Sequence, residues 1–293
     1  MPEAGEYLFS RVGFSRDETP EFTLTKSEGF IDFNPLEHKL TLQFIMNQRF
    51  CIGWSDMTEG KRYTCPDANL IGNAYEQCAA CQQRTGFNPA FYNAKTVSSQ
   101  QEARNTKPHI LYLAYFSNNT IKVGISYAAR GNSRLLEQGA RHALILDTFP
   151  SAHIARSYEA KIAQMPGISE TVQLRKKITL LGHENDTGSA TNTLLELRAK
   201  HEHDLRVTFA RNHVQSFDTH YFPTIQPDLH SPYDCSDQHV ISGKTIGMLG
   251  SLLFCQQEDT SLFLPLKKYI GYKVNLSFIQ TTIAVPPRQT SLF

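Results

Sequence analysis

The chain has no run of about 18 apolar residues, so no helical membrane span is expected. Neither sign of charge dominates. The 29 Lys and Arg against 28 Asp and Glu leave a formal net charge of +1, which argues against a protein that coats polyanions with its whole surface and allows only a local basic groove. Its first residues, Met1-Pro2-Glu3-Ala4-Gly5-Glu6, are acidic and lack an apolar signal core, so export is not expected and a cytoplasmic location is. No long internal repeat is visible. Cysteine is sparse: six in 293 residues, without a signal segment, point to metal ligation or free thiols in a reducing compartment rather than to a disulfide framework. What is present, 40% hydrophobic and 19% charged residues, describes a globular chain rather than a disordered one. Its length allows one large core or roughly two to three smaller ones.

Local patterns divide the chain into six stretches. Residues 1–50 read as strands and turns, with Tyr7-Leu8-Phe9, Phe22-Thr23-Leu24 and Leu40-Thr41-Leu42-Gln43-Phe44 as short β-prone runs. Residues 51–107 are rich in Cys, Gly, Asn and Gln, with little helical periodicity; such a segment needs a staple rather than a core. Residues 108–185 form a compact α/β block. Ile110 to Tyr115 and Ile121 to Ile125 read as a hairpin, Ser133 to about Gln138 as a short helix, and Ala143 to Leu146 as a third strand. Ser151 is placed to cap a further helix on which Ile154, Tyr158, Ile162 and Met165 share a face, with Glu159 beside that stripe. Residues 186–215 supply a helical connector, with a long helix from Thr193 to about Asn212. Residues 216–285 turn β again, Lys244 to Phe254 being the longest run, and suggest a small barrel or curled sheet. Residues 286–293 form a tail. The fold class expected is α+β.

Cys78-Ala79-Ala80-Cys81 is a pair whose thiolates reach one ion on a tight knuckle. Cys51 and Cys65 lie upstream, with 13 residues between them and 12 between Cys65 and Cys78, enough for each loop to return its sulfur to the same point. Four sulfurs in a tetrahedral array select Zn²⁺ and close the site, which makes it structural. A redox pair at Cys78 and Cys81, or unconnected buried thiols, are the other readings. Cys235 and Cys255 read as buried thiols.

Tyr112 on the first strand of the hairpin, Lys122-Val123-Gly124 on the second, then Arg134 and then Glu159 resemble, in that order, the GIY-YIG nuclease superfamily. The resemblance covers roughly 110–164. Together with Cys51-Ile52-Gly53-Trp54 and the cysteine knuckle, it extends to an uncharacterised bacterial family that joins a zinc-binding segment to such a core. It implies a metal-dependent endonuclease. Tyr112 would position or activate the attacking water, and Arg134 would stabilise the pentavalent phosphate. Glu159 would hold one Mg²⁺ or Mn²⁺, and Gly124 would permit close backbone approach. The sequence departs from the pattern at Lys122, which stands where the second motif begins with tyrosine, and Tyr127 or Tyr115 could supply a second phenol. Arg130 rivals Arg134 for the arginine position.

A basic track runs through the same block. Lys122, Arg130, Arg134 and Arg141 occur with Glu137 as the opposing charge, and Arg156, Lys161, Arg175, Lys176 and Lys177 follow, a pattern suited to a phosphate path on DNA. His201-Glu202-His203-Asp204 reads as a polar helix face, because residues two apart on a helix point to different sides. After Pro286-Pro287-Arg288, the run Gln289-Thr290-Ser291-Leu292-Phe293 resembles the bacterial sliding-clamp-binding motif, in which Gln289 would fix register while Leu292 and Phe293 fill an apolar cleft; an apolar terminus folded back on the domain is the plainer reading. The expectation from all of these is a DNA endonuclease of repair or replication recruited to the clamp, with a non-catalytic DNA- or RNA-binding adaptor on the same fold as the alternative.

Overall fold

A computed structural model describes residues 1–88, 97–183 and 185–285 of the chain. Four strands come first: β1 (Gly5–Phe14), β2 (Pro20–Lys26), β3 (Gly29–Phe33) and β4 (Lys39–Arg49). In β4, Leu40, Leu42 and Phe44 recur at every second position and are buried, which fixes the face that packs inward. The cysteine segment follows, and its described residues have little regular structure, only β5 (Trp54–Ser55), β6 (Arg62–Tyr63), α1 (Ala79–Thr85) and α2 (Ser99–Asn105). Next comes the α/β block: β7 (His109–Ser117), β8 (Thr120–Tyr127), α3 (Ser133–Gln138), β9 (His142–Phe149), α4 (Ala152–Ala163), β10 (Ile168–Ser169), α5 (Leu174–Thr179), α6 (Thr187–Leu205), β11 (Val214–Ser216) and α7 (Asp218–Tyr221). The chain then returns to β structure in β12 (Tyr233–Asp234), β13 (Val240–Leu249), β14 (Leu252–Gln257), β15 (Thr260–Pro265) and β16 (Tyr272–Ser277).

The strands at the two ends of the sequence do not make separate units. They form one nine-stranded sheet in the order β12-β15-β14-β13-β4-β16-β1-β2-β3, in which β4 is inserted between β13 and β16 and Gln43 lies opposite both Val240 and Asn275. This corrects the division into a β-rich stretch at 1–50 and another at 216–285. Either stretch alone would leave the backbone donors and acceptors of its central strands unpaired. The run from Lys244 to Phe254 is also two strands rather than one, turned at Gly250 with φ +62° so that Leu249 pairs with Leu252.

A second sheet has the order β10-β8-β7-β9-β11, with Tyr112 of β7 opposite Gly124 of β8 on one side and Ile145 of β9 on the other. Its alternation serves two cores. Ile110, Tyr112, Ala114 and Phe116 join the core shared with the nine-stranded sheet, whereas Leu111, Leu113 and Tyr115 pack with Ile162, Leu194 and Phe209 beneath α4 and α6. The two sheets are tied where Phe14 meets Tyr221 edge to face at 5.9 Å and the Tyr221 hydroxyl donates to the Ala140 carbonyl at 2.7 Å.

Ser151 caps α4 by accepting from the Ile154 backbone N–H, as its position suggested. The buried face differs from the expected stripe. Ala152, Ala155, Glu159 and Ile162 are inward and Ile154 is 42% exposed, so Glu159 sits on the packed face and not beside it. The long helix begins at Thr187, earlier than expected, because Asp186 accepts from the Gly188 and Ser189 N–H groups, and it ends at Arg206 in a left-handed conformation. Among the described residues, no helix is long and apolar enough to cross a membrane.

Candidate functional site

The cysteine segment converges. The sulfurs of Cys51, Cys65, Cys78 and Cys81 all lie within 4.8 Å of one another, those of Cys65 and Cys78 at 4.0 Å, and none is in a disulfide. A tetrahedral ion with metal–sulfur bonds of about 2.3 Å requires sulfur separations of about 3.8 Å, so the four ligands fit with a slight contraction. Supporting donors are in place: the backbone N–H groups of Gly53 and Cys78 point at the Cys51 sulfur at 3.4 and 3.2 Å, and the Asn69 amide donates to Cys78 at 3.5 Å. The Cys81 backbone N–H, with Asn69, brings the Cys78 thiol down to about 6, toward the thiolate that a metal takes, whereas burial pushes Cys81 up. Gly53 has φ +90°, and a side chain there would collide with the Tyr63 carbonyl, so the loop closes only with glycine. The four cysteines therefore form a compact cluster compatible with a bound metal.

On the second sheet, Tyr112 is fully buried and its hydroxyl accepts from the Gln138 side chain at 2.6 Å. Gly124 makes this possible, since a Cβ added there would lie 2.6 Å from the Tyr112 ring carbon that bears the hydroxyl. Burial raises the Tyr112 pKa more than Arg134 and Gln138 lower it, so the phenol remains protonated. Glu159 is buried as well, and its carboxylate accepts from Arg156 at 2.7 Å; Arg156 also reaches Glu170 at 2.7 Å. Burial raises the Glu159 pKa against the pull of Arg156 and Lys122. Lys122 donates to the Glu170 carbonyl, and burial lowers its pKa against Glu159, with Arg134 adding to the fall. Burial and the charges of Lys267, Lys122 and Arg134 bring Lys177 down to about 8. Tyr112, Lys122, Arg134 and Glu159 thus come from four elements into one electrostatic neighbourhood in which cations outnumber carboxylates.

Arg134 also opens onto a groove between the cysteine segment, β1 and the hairpin. Two depressions of about 410 and 860 Å³ meet along Ile52, Ser55, Glu76, Arg130 and Arg134. Arg130 pairs with Glu137 at 2.5 Å, and the same carboxylate takes Arg11 at 3.5 Å and Arg134 at 3.9 Å, so one negative charge serves three arginines. Tyr127 lines the groove, with the Arg104 guanidinium 5.0 Å from its ring centroid. Arg141 is a correction to the expected phosphate path. It is engaged inside the protein, forking onto Asp218 at 2.5 and 3.0 Å, a partner 77 residues later in the chain that local sequence does not reveal. His201 is buried and His203 exposed, which separates them as the helical spacing requires. Gln289, Leu292 and Phe293 lie outside the described residues. Sequence reasoning missed Arg104, Tyr75 and Phe87, which line the groove without any periodic signal.

Residues 38–274 match the family described as protein of unknown function (DUF2797), and the chain belongs to that family. No curated protein and no solved structure matches the chain.

Proposed function

We propose that the protein is a metal-dependent DNA endonuclease with a GIY-YIG-like core, held beside its substrate by a zinc-stapled segment. The observation that carries this reading is the meeting of Tyr112, Lys122, Arg134 and Glu159 in one cation-rich neighbourhood, with Gly124 leaving room for the Tyr112 ring. A surplus of fixed positive charge in a partly dry site is what a phosphodiester, and still more its pentavalent transition state, calls for. Arg134 would neutralise charge on the non-bridging oxygens as water attacks phosphorus in line and the bond to the leaving oxygen breaks. The protonated Tyr112 hydroxyl would orient the water rather than take its proton, which would pass through solvent to the departing oxygen. Lys122 would draw the phosphate in. Glu159 is the ligand proposed for Mg²⁺ or Mn²⁺; because its carboxylate also accepts from Arg156, that ion would require phosphate oxygens of the substrate as well. Such an ion supplies Lewis-acid polarisation of the phosphate.

Zn²⁺ is the ion proposed for Cys51, Cys65, Cys78 and Cys81, on the strength of an all-sulfur set with no open position. For the tail, the reading is that Gln289, Leu292 and Phe293 dock on the bacterial sliding clamp and raise the local concentration of the enzyme near DNA under repair or replication. Deleting residues 289–293 should abolish capture by the clamp and leave folding unchanged; equal capture after deletion would remove this part of the proposal.

Two specific features favour the adaptor reading. Lys122 replaces the second-motif tyrosine, and Arg156 already occupies Glu159. Labelled single-stranded, duplex and branched DNA incubated with Mg²⁺ separates the two readings. The nuclease reading expects cuts that disappear in Glu159→Gln. Tight binding without cuts under every condition gives the case to the adaptor.

A further inference from the structure

We propose that the cysteine segment is the base-binding wall of the groove, and that the groove takes single-stranded DNA with bases stacked on Tyr75 and Phe87 and phosphates following Arg104, Arg130 and Arg134. The inference deepens the nuclease reading and rests on it for the nature of the ligand.

Three observations lead there. Among the described residues, the exposed aromatic side chains are Tyr63, Tyr75 and Phe87, and all three belong to this one segment. Tyr75 and Phe87, at 64% and 59% exposure, line the larger depression, while Tyr63 stacks on Trp54, at 4.1 Å and 12°, and Trp54 lines the smaller. Large apolar rings held open to water on a short irregular segment suit a surface that is covered when a partner arrives. The second observation is charge. The two depressions are lined by six Arg and Lys side chains, Arg11, Arg62, Arg104, Arg130, Arg134 and Lys267, against Glu76 and Glu137; with Glu21 and Asp32, which pair with Arg11 and Arg62, the cations still lead by six to four in a chain whose formal net charge is only +1. Arg104 and Lys267 have no carboxylate partner among the described residues, and the Arg104 guanidinium lies 5.0 Å from the ring centroid of Tyr127, which lines the same groove. The third is continuity: Arg134 belongs both to the groove and to the neighbourhood of Tyr112.

The combination selects unpaired nucleotides. In a duplex, neighbouring base pairs cover the faces of each base, and protruding rings gain nothing from its phosphate exterior. In a single strand every base presents a face to an aromatic ring, whatever the sequence. Arginines interleaved with the rings then follow the backbone.

Fluorescence anisotropy with a labelled single-stranded DNA of about 12 nucleotides, its duplex and the matching RNA tests this, in buffer with neither added divalent ion nor chelator, so that the cysteine cluster is left intact. The single-stranded DNA should bind most tightly. Tyr75→Ala and Phe87→Ala should each weaken it by roughly fivefold to a hundredfold, and zinc content should remain unchanged because both side chains are exposed. Arg104→Ala should weaken all sequences alike and reduce the slope of log affinity against log salt by about one. Trp54, the single tryptophan of the chain, should be quenched on binding. Duplex bound as tightly as single strand, wild-type affinity in both aromatic variants, or tighter binding of RNA would each overturn the proposal. Because binding is read without cleavage, a protein that grips single strands but never cuts them upholds this inference while refuting the nuclease reading. An active nuclease indifferent to Tyr75 and Phe87 does the reverse.

Discussion

Tyr112 and Gly124 face each other across two paired strands, and each constrains the other. Gly124→Ala would push a methyl group against a fully buried ring that has no open direction in which to move. It should cost about 1–3 kcal/mol of stability by overpacking, read as a lower urea midpoint; an unchanged midpoint would mean that the pocket is looser than described. Tyr112→Phe keeps the packing and removes a single acceptor. Gln138 retains its bond to the Arg134 carbonyl at 3.2 Å, so the loss should be only about 1 kcal/mol. His201 gives a third test. It is buried, neither ring nitrogen has a partner among the described residues, and burial lowers its pKa below the ordinary 6.5. The sign follows: as pH falls through 6.5, the unfolded chain takes up a proton that the folded protein still refuses, so stability declines in that range. His201→Leu should lose less stability than the wild type between about pH 7.5 and about pH 5.5. An equal loss in both would assign the acid sensitivity elsewhere, His109 and His142 being the other histidines whose pKa burial lowers.

At the scale of elements, the cysteine segment and the two sheets obey different rules. The segment has two-residue strands and short helices, and the metal proposed for its sulfur cluster would stabilise it as a core would elsewhere. Cys78→Ser should release the proposed metal and lower hydrogen-exchange protection in residues 51–88, while β7 and β8 remain protected. Uniform loss across the chain would show instead that the segment folds as one with the sheets. The hairpin β7–β8, the helix α3 with Arg134 and the cap of α4 were legible in the sequence because their signals are local: alternation, a turn, an N-cap serine. The place of β4 between β13 and β16 was not legible, since partners about two hundred residues apart leave no trace in a short window. Glu159 shows the same limit. Helical spacing ranked Ile154 above it as a core position, yet the α4 face that meets the sheet is set by packing, which buries the carboxylate and exposes the isoleucine. Arg141 read as a phosphate ligand only because Asp218 was out of view.

At the scale of the molecule, the nine-stranded sheet, the five-stranded sheet and the cysteine segment border one groove, and Arg134 stands where that groove meets Tyr112 and Glu159. In this arrangement the large sheet supplies the platform and the cysteine segment one wall, while the hairpin with α3 and α4 carries the groups proposed to act on a phosphodiester. The most direct test is single-turnover cleavage of labelled single-stranded DNA at saturating Mg²⁺, comparing wild type, Arg134→Ala and Glu159→Gln. The account predicts metal-dependent cutting by the wild type, a rate lower by about a hundredfold to a thousandfold in Arg134→Ala with the strand still bound, and a comparable or greater loss in Glu159→Gln. No cutting by the wild type, or variants that cut as fast as it does, would contradict it.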